Sequence, residues 1–277
     1  MWLSVLKHRL AASMQAVAMA WLVVGSVIAT SAVQAQAPKR VFENPQSGIT
    51  FASEEIRKLQ DDELGNPAQL LVDQARLLWS QAPAASSTPK GKACAECHGK
   101  VESMKGVATH YPRVLDKHGL TNLEGRINLC RTEQQSQTAW AYESSPLLGM
   151  TALIASQSKG QSNQSSIEGS AKAAFEAGHS LYYERMGQMN LSCAHCHEKN
   201  AGRRLLAEVI SQGHPNAYPI YRLEWQATGS LHRRFRSCLN GVKAELWPQG
   251  SPQFLNLELF LAWRSQGLGI ETPGVRR

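Results

Sequence analysis

Two pentapeptides of one pattern stand about a hundred residues apart, Cys94-Ala95-Glu96-Cys97-His98 and Cys193-Ala194-His195-Cys196-His197. Both read C-x-x-C-H. Cysteines at that spacing reach the two vinyl groups of one porphyrin as thioethers, and the adjacent histidine ligates the iron from the same side. A Cys₄ zinc site is the rival use of these cysteines, but it leaves His98 and His197 with no role. The spacing therefore predicts two covalently attached haem c groups, one on Cys94 and Cys97, the other on Cys193 and Cys196.

The ligand on the far side of each iron decides what such a chain can do. Electron-carrying cytochromes c place a methionine there. The seven methionines are Met1, Met14, Met19, Met104, Met150, Met186 and Met189, so none follows the second motif. His214, His232 and Cys238 are the candidates for the second haem, and His110, His118, Cys130 and Met150 for the first. Cys130 and Cys238 stand at equivalent places after the two motifs, each four residues beyond an arginine, Arg126 and Arg234. The expected pairs are therefore His98 with Cys130 and His197 with Cys238; a thiolate lowers the potential of the iron it binds. An even pair of cysteines in a secreted chain can also form a disulfide, and a Cys130 to Cys238 bridge stays open as the alternative. His214 and His232 are expected as surface or hydrogen-bonded side chains, and His195 as an exposed spacer.

These residues need a helical frame, and the chain supplies one twice. Ser53-Glu54-Glu55-Ile56 opens a helix, and Ala68 to Ser80 places Leu71, Ala75, Leu78 and Trp79 at three- and four-residue spacing. Thr121-x-x-Glu124 has the form of a capping box, leading into a helix that carries Arg126 and Cys130. Ser145-Pro146 opens the next. After the Gly/Ser-rich, nearly apolar-free stretch 156–170 the order recurs: a helix from Ala171 to Tyr183, the second haem motif, a helix capped by Ser230 and carrying Arg234 and Cys238, and an apolar helix after Ser251-Pro252. The repeat predicts a mainly α chain of two tandem class I cytochrome c-like domains with little sheet, 36–160 and 161–277.

Residues 1–35 read as a signal peptide: a basic start at Lys7-His8-Arg9, an apolar run from Leu10 to Ile28, and small residues before a cleavage point after Ala35 or Ala37. An uncleaved anchor is the alternative; the run is short and broken by polar residues. Loss of the leader takes Lys7 and Arg9 from a formal net charge of +7, leaving a basic protein suited to anionic small molecules and acidic partners. The basic residues are dispersed, which argues against nucleic acid, and the compartment expected is the bacterial periplasm, with no stable membrane insertion.

On the helix opened by Ser230, Arg234 lies one turn before Cys238 on the same face. A guanidinium there would hold the thiol as thiolate and offer paired hydrogen bonds to an oxyanion. A haem propionate or solvent is the other partner such an arginine can have.

Both C-x-x-C-H motifs, both later cysteines, and the tail from Tyr218 through Arg234-x-x-x-Cys238 to Ser251-Pro252 and Glu271-Thr272-Pro273 together resemble the SoxA family, haem-bearing subunits of the SoxAX cytochromes of bacterial thiosulfate oxidation. The resemblance covers essentially the whole mature chain, in its dihaem form. It implies an L-cysteine S-thiosulfotransferase that joins thiosulfate to the carrier cysteine of SoxY in SoxYZ and passes electrons through haem c to a soluble cytochrome c acceptor. It implies a heterodimer with a SoxX-like monohaem cytochrome. By motif, Cys238 would be the catalytic cysteine, found as a persulfide, Arg234 the substrate-binding arginine, and Cys130 the distal ligand of the first haem. A dihaem electron carrier without sulfur chemistry and a dihaem peroxidase are the rival classes.

Overall fold

Four long helices carry the apolar residues, and each buries its stripe against one partner. In the computed structural model, which describes residues 39–83 and 91–277, α1 spans Glu54–Asp61 and α2 Gln69–Ser80. Val72, Ala75 and Trp79 recur along one face of α2 and are buried. They pack on α5, Ser145–Ser156, whose residues from Leu147 to Ala155 are buried on every side. In the second half α6, Lys172–Tyr183, turns Phe175, Gly178 and Tyr182 onto α9, Pro252–Arg264, which is equally immersed. Each haem motif is a single helical turn inserted after the first helix of its pair: α3, Cys94–His98, and α7, Cys193–His197.

A short antiparallel hairpin precedes each cysteine-bearing helix. β1 (Arg113–Leu115) pairs with β2 (Gly119–Thr121) and leads into α4, Leu123–Glu133. A two-residue ladder, β3 (Arg204–Leu205) with β4 (Glu208–Val209), intervenes after α7. Then β5 (Ile220–Arg222) pairs antiparallel with β6 (Ala227–Gly229), leads into α8 (Leu231–Gly241), and takes the C-terminal β7 (Gly274–Arg276) alongside in parallel. The fold is mainly α with little sheet. The order α2-α3-hairpin-α4-α5 returns as α6-α7-hairpin-α8-α9.

Two hydrophobic clusters sit in one compact body from 40 to 277. The first gathers α2, α4 and α5 around Leu147 and Leu153 and takes in Ile270 from the far end of the chain. The second gathers α6, α8 and α9 around Phe254 and Phe260 and packs Val114 and Leu120 of the first hairpin against itself. The polar stretch 156–170 is stitched between the halves: Lys159 bridges Ile270, Ser162 bridges Gly269, and the Gln164 N–H donates to the Thr109 carbonyl at 2.7 Å. Its backbone bonds do what its side chains cannot.

One helix start differs from the spacing. Thr121 ends β2, and the cap of α4 is Asn122, whose side chain accepts from the Gly125 N–H at 2.9 Å. Glu124 is thereby released from capping and is turned inward, 7% exposed. The expected leader and its cleavage point lie outside the described residues. Among those residues, no helix is long and apolar enough to cross a membrane.

Candidate functional site

The second haem motif is held by contacts that reach it from other parts of the chain. Ser192 starts α7, and its hydroxyl and N–H lie 2.7 and 3.1 Å from Nδ1 of His195. His195, expected as a spacer, therefore caps the turn. Nδ1 of His197 lies 2.8 Å from the Ser211 carbonyl. A carbonyl only accepts, so this nitrogen carries the hydrogen and Nε2 is left with its lone pair, as an iron ligand requires. Gly213 presses its backbone on the same ring: at φ +74° it lies where only glycine is comfortable, and a Cβ there would stand 2.8 Å from His197 Cγ. In the first motif Trp79 donates to the Gly99 carbonyl at 2.9 Å and lies 5.9 Å from the His98 ring, while Gln135 donates to Cys94 Sγ at 3.7 Å.

The two later cysteines face different motifs. Cys130 acts electrostatically on Cys94 and feels Cys97, whereas Cys238 acts on Cys193 and Cys196. No disulfide joins any two of the six cysteines, Cys130 and Cys238 included. α8 begins at Ser230, whose hydroxyl accepts from the Arg233 N–H at 3.1 Å, and carries Arg234 and then Cys238 one turn on. The Cys238 side chain is accessible although protein surrounds it on most sides, the situation of a thiol on the wall of a recess.

Burial opposes its ionisation, yet the Arg234 guanidinium leads the influences that outweigh burial, and the thiol is brought down to about 7. Cys130 goes the other way. Burial raises it, the gain from Arg126 is smaller, and Glu133 and Cys97 push it further up. The position equivalent to Glu133 in the second repeat is Gly241, so no carboxylate opposes the thiolate there.

Arg234 is itself kept cationic: burial works against its charge, but Cys238, Tyr218, Glu208 and Glu224 together raise it. Arg222 is spoken for, donating to Glu208 at 3.1 and 3.2 Å and to Glu224 at 3.4 Å. Arg233 covers the face of Trp225 at 4.4 Å. Among the described residues no carboxylate pairs with Arg234, so its guanidinium is available to a ligand beside the thiol. In the first repeat Arg113, Lys117, His118 and Arg126 line a hollow of about 420 Å³, a rim of charge suited to carboxylates of a porphyrin edge.

Of the other sequence candidates, His110 is exposed and the rest are engaged elsewhere. Met150 is 1% exposed in the first core. His118 meets Glu133 at 3.0 Å, His232 meets Glu258 at 2.9 Å, and His214 meets Gln212 at 3.1 Å. Ser211, Gly213, Tyr218 and Arg222 carry no motif and belong to the site only through the fold. Of these only Tyr218 left a trace in the sequence, as the start of the tail that resembles the SoxA family.

Residues 74–162 match the family model described as SoxA/TsdA, cytochrome c domain. Over 237 residues the chain is 37% identical to the L-cysteine S-thiosulfotransferase subunit SoxA of Rhodovulum sulfidophilum, covering 85% of this chain and 81% of that one. It is 37% identical to the protein of the same description from Paracoccus pantotrophus, over 85% and 80% of the two chains. The chain belongs to the SoxA family. A chain of the crystal structure of SoxXA from P. pantotrophus superposes with a TM-score of 0.81 at 36% identity, covering 86% of this chain and 89% of that one. As a SoxA-family cytochrome c the chain binds haem c covalently. The hydrogen-bonded His197, its free Nε2 and the glycine backed against its ring fit that group.

Proposed function

We propose that the chain is the catalytic subunit of an L-cysteine S-thiosulfotransferase, the activity that its relatives are named for. It conjugates thiosulfate to a carrier-protein cysteine, of the SoxY type in a SoxYZ complex. Thiol and thiosulfate dianion become an S-thiosulfo cysteine, one S–S bond forming as one proton and two electrons leave. The observation that carries this is the Cys238 thiol, brought to about 7 between Arg234 and His197 where its repeat partner Cys130 is pushed up.

Arg234 orients the sulfonate end of thiosulfate through paired hydrogen bonds and holds Cys238 as thiolate or persulfide. Cys238 Sγ forms an S–S bond to the sulfane sulfur of thiosulfate as two electrons leave; the carrier thiol, its proton lost to solvent, then attacks that sulfur, displaces Cys238 Sγ and carries off the whole thiosulfo group. Haem c, when bound, supplies a one-electron acceptor beside that sulfur. Two haems are assigned, Cys94 and Cys97 with ligands His98 and Cys130, and Cys193 and Cys196 with ligands His197 and Cys238. The frame is a leader over 1–35, a first haem domain over 36–160 and a catalytic one over 161–277. Electrons leave through a SoxX-like monohaem partner, with which the chain forms a heterodimer, to a soluble cytochrome c in the periplasm.

Cys238→Ala tests the reading in the intact heterodimer. Thiosulfate-dependent reduction of cytochrome c is expected to vanish while both haems stay attached. A variant that retains turnover, or intact-mass data showing Cys238 linked to Cys130, overturns it.

A further inference from the structure

A buried acid stands apart from both cysteine sites. Glu124, in the first turn of α4, is 7% exposed and lines a cavity of about 90 Å³ between the repeats, with room for several waters. Among the described residues no side chain donates to its carboxyl group. Glu258 of α9 faces the same cavity, but it is satisfied: Asn122 and His232 reach its Oε2 at 3.0 and 2.9 Å. The Gly250 N–H donates to Nδ1 of His232 at 3.0 Å, so that ring holds its one hydrogen on Nε2 and gives it to Glu258. Glu258 is thus the ionised member and His232 a neutral donor. With its own backbone N–H as donor and no cation paired to it, a second buried negative charge beside Glu258 is costly, and Glu124 holds a proton instead. Asn216, on the same wall, leaves its Oδ1 buried without a donor, as a group facing cavity water does.

Position matters as much as charge. Glu124 and His232 occupy equivalent places in α4 and α8, each two residues past its helix cap and six before Cys130 or Cys238. Tyr111 and Tyr218 close the cavity on its two sides, the first acted on by Arg126 and Cys130, the second by Arg234 and Cys238. The cavity therefore lies between the two haem c sites, six helical residues, roughly 9 Å, from Cys130 along α4.

We infer that the junction of the repeats is a redox-linked proton site: Glu124 binds one exchangeable proton, shared through cavity water with Glu258, and binds it more tightly when an electron occupies a neighbouring haem c site. One electron arrives from the thiol and thiosulfate couple, and one proton from solvent joins the Glu124 carboxylate. When the electron passes to the cytochrome c acceptor, the proton returns to solvent. The groups facing Glu124 are Glu258 from α9, His232 from α8, Tyr142 and Glu143 ahead of α5, and Tyr111 and Tyr218 on the cavity wall. Burial, then Glu258, raises Glu124 to about 7, so the proton is exchangeable at neutral pH. Across such separations one unit of charge alters proton affinity on the order of tenfold.

The inference rests on haem c in these repeats and not on sulfur chemistry at Cys238, so its test omits thiosulfate and carrier. Midpoint potentials of the holoprotein are measured from about pH 6 to about pH 8. A tenfold linkage lowers the potential of at least one haem by about 59 mV over the whole titration, most of it between these two pH values. Glu124→Gln is expected to flatten the slope with the haem absorption spectrum unchanged. In the wild type, infrared difference spectra should show a protonated-carboxyl C=O band at neutral pH that grows on reduction. Potentials flat with pH, a slope retained in E124Q, or no such band overturns the inference. So does a response to added sodium or calcium in place of pH, which would make the site a cation site.

Discussion

Cys130 and Cys238 occupy equivalent places in α4 and α8, and what separates them is the charge within reach of each sulfur. Each has an arginine one turn before it, so the guanidinium alone does not make the difference. Glu133 stands near the end of α4 and pushes Cys130 up, whereas α8 has Gly241 there and no carboxylate opposes Arg234 at Cys238. Removing the cation must raise the thiol, so Arg234→Gln is expected to move the acid limb of the pH–rate profile upward from about 7. Loss of its paired hydrogen bonds should also lower kcat/KM for thiosulfate roughly 10- to 100-fold. Gly241 has open space around its missing Cβ, so Gly241→Glu can be accommodated and should shift the same limb upward with the haem spectrum intact. A profile unmoved by either change would place the activating charge elsewhere. The arginine, cysteine and haem motifs were legible in the sequence because their chemistry demands short, fixed spacings. Ser211, Gly213 and Arg222 were not, because a carbonyl, a bare Cα and a paired guanidinium act through loops and strands that only the fold brings to the motif.

The elements explain why the duplication was easier to see than its boundaries. Helix order, apolar spacing and the Pro-led starts of α5 and α9 recur in both halves, each built on a crossing of two long helices beside a C-x-x-C-H turn. The crossing itself is made by one glycine in each half, on opposite partners. Gly149 of α5 approaches the Leu71 carbonyl of α2, and Gly178 of α6 approaches the Asn256 carbonyl of α9. A Cβ would come within 2.7 Å in the first case and 2.0 Å in the second. Backbone cannot rotate away as a side chain can, so the helices must part. Gly178→Ala is expected to cost about 3 kcal/mol or more of unfolding free energy and Gly149→Ala about 1–2 kcal/mol, read from denaturant midpoints of the holoprotein. The start of α4 was misplaced by one residue because Thr121 and Asn122 are both good caps. Strand pairing of Thr121 with Arg113 decides between them, and no local pattern carries that pairing.

At the scale of the whole molecule the repeats are not separable beads. Ile270 completes the first core, Asn66 donates to the Pro273 carbonyl at 2.9 Å, and the Val275 N–H donates to Gln60 at 3.0 Å, so the C-terminal tail closes the N-terminal half. The acid pair at their junction should therefore be felt as global stability. Glu124 titrates near 7 in the folded chain and near 4.5 unfolded, so the folded state binds the extra proton between those values. Its contribution is fully present below about 4.5, declines as pH rises through about 7, and is absent above. A shift of that size corresponds to about 3 kcal/mol, an upper figure because the carboxyl is coupled to Glu258. The quantity that isolates it is the stability of Glu124→Gln minus that of the wild type. The difference should grow in favour of the variant from pH 5 to pH 8, because glutamine fills the same space and never has to give up a proton beside Glu258. A difference independent of pH would mean that Glu124 is ionised throughout, with a compensating charge in the cavity.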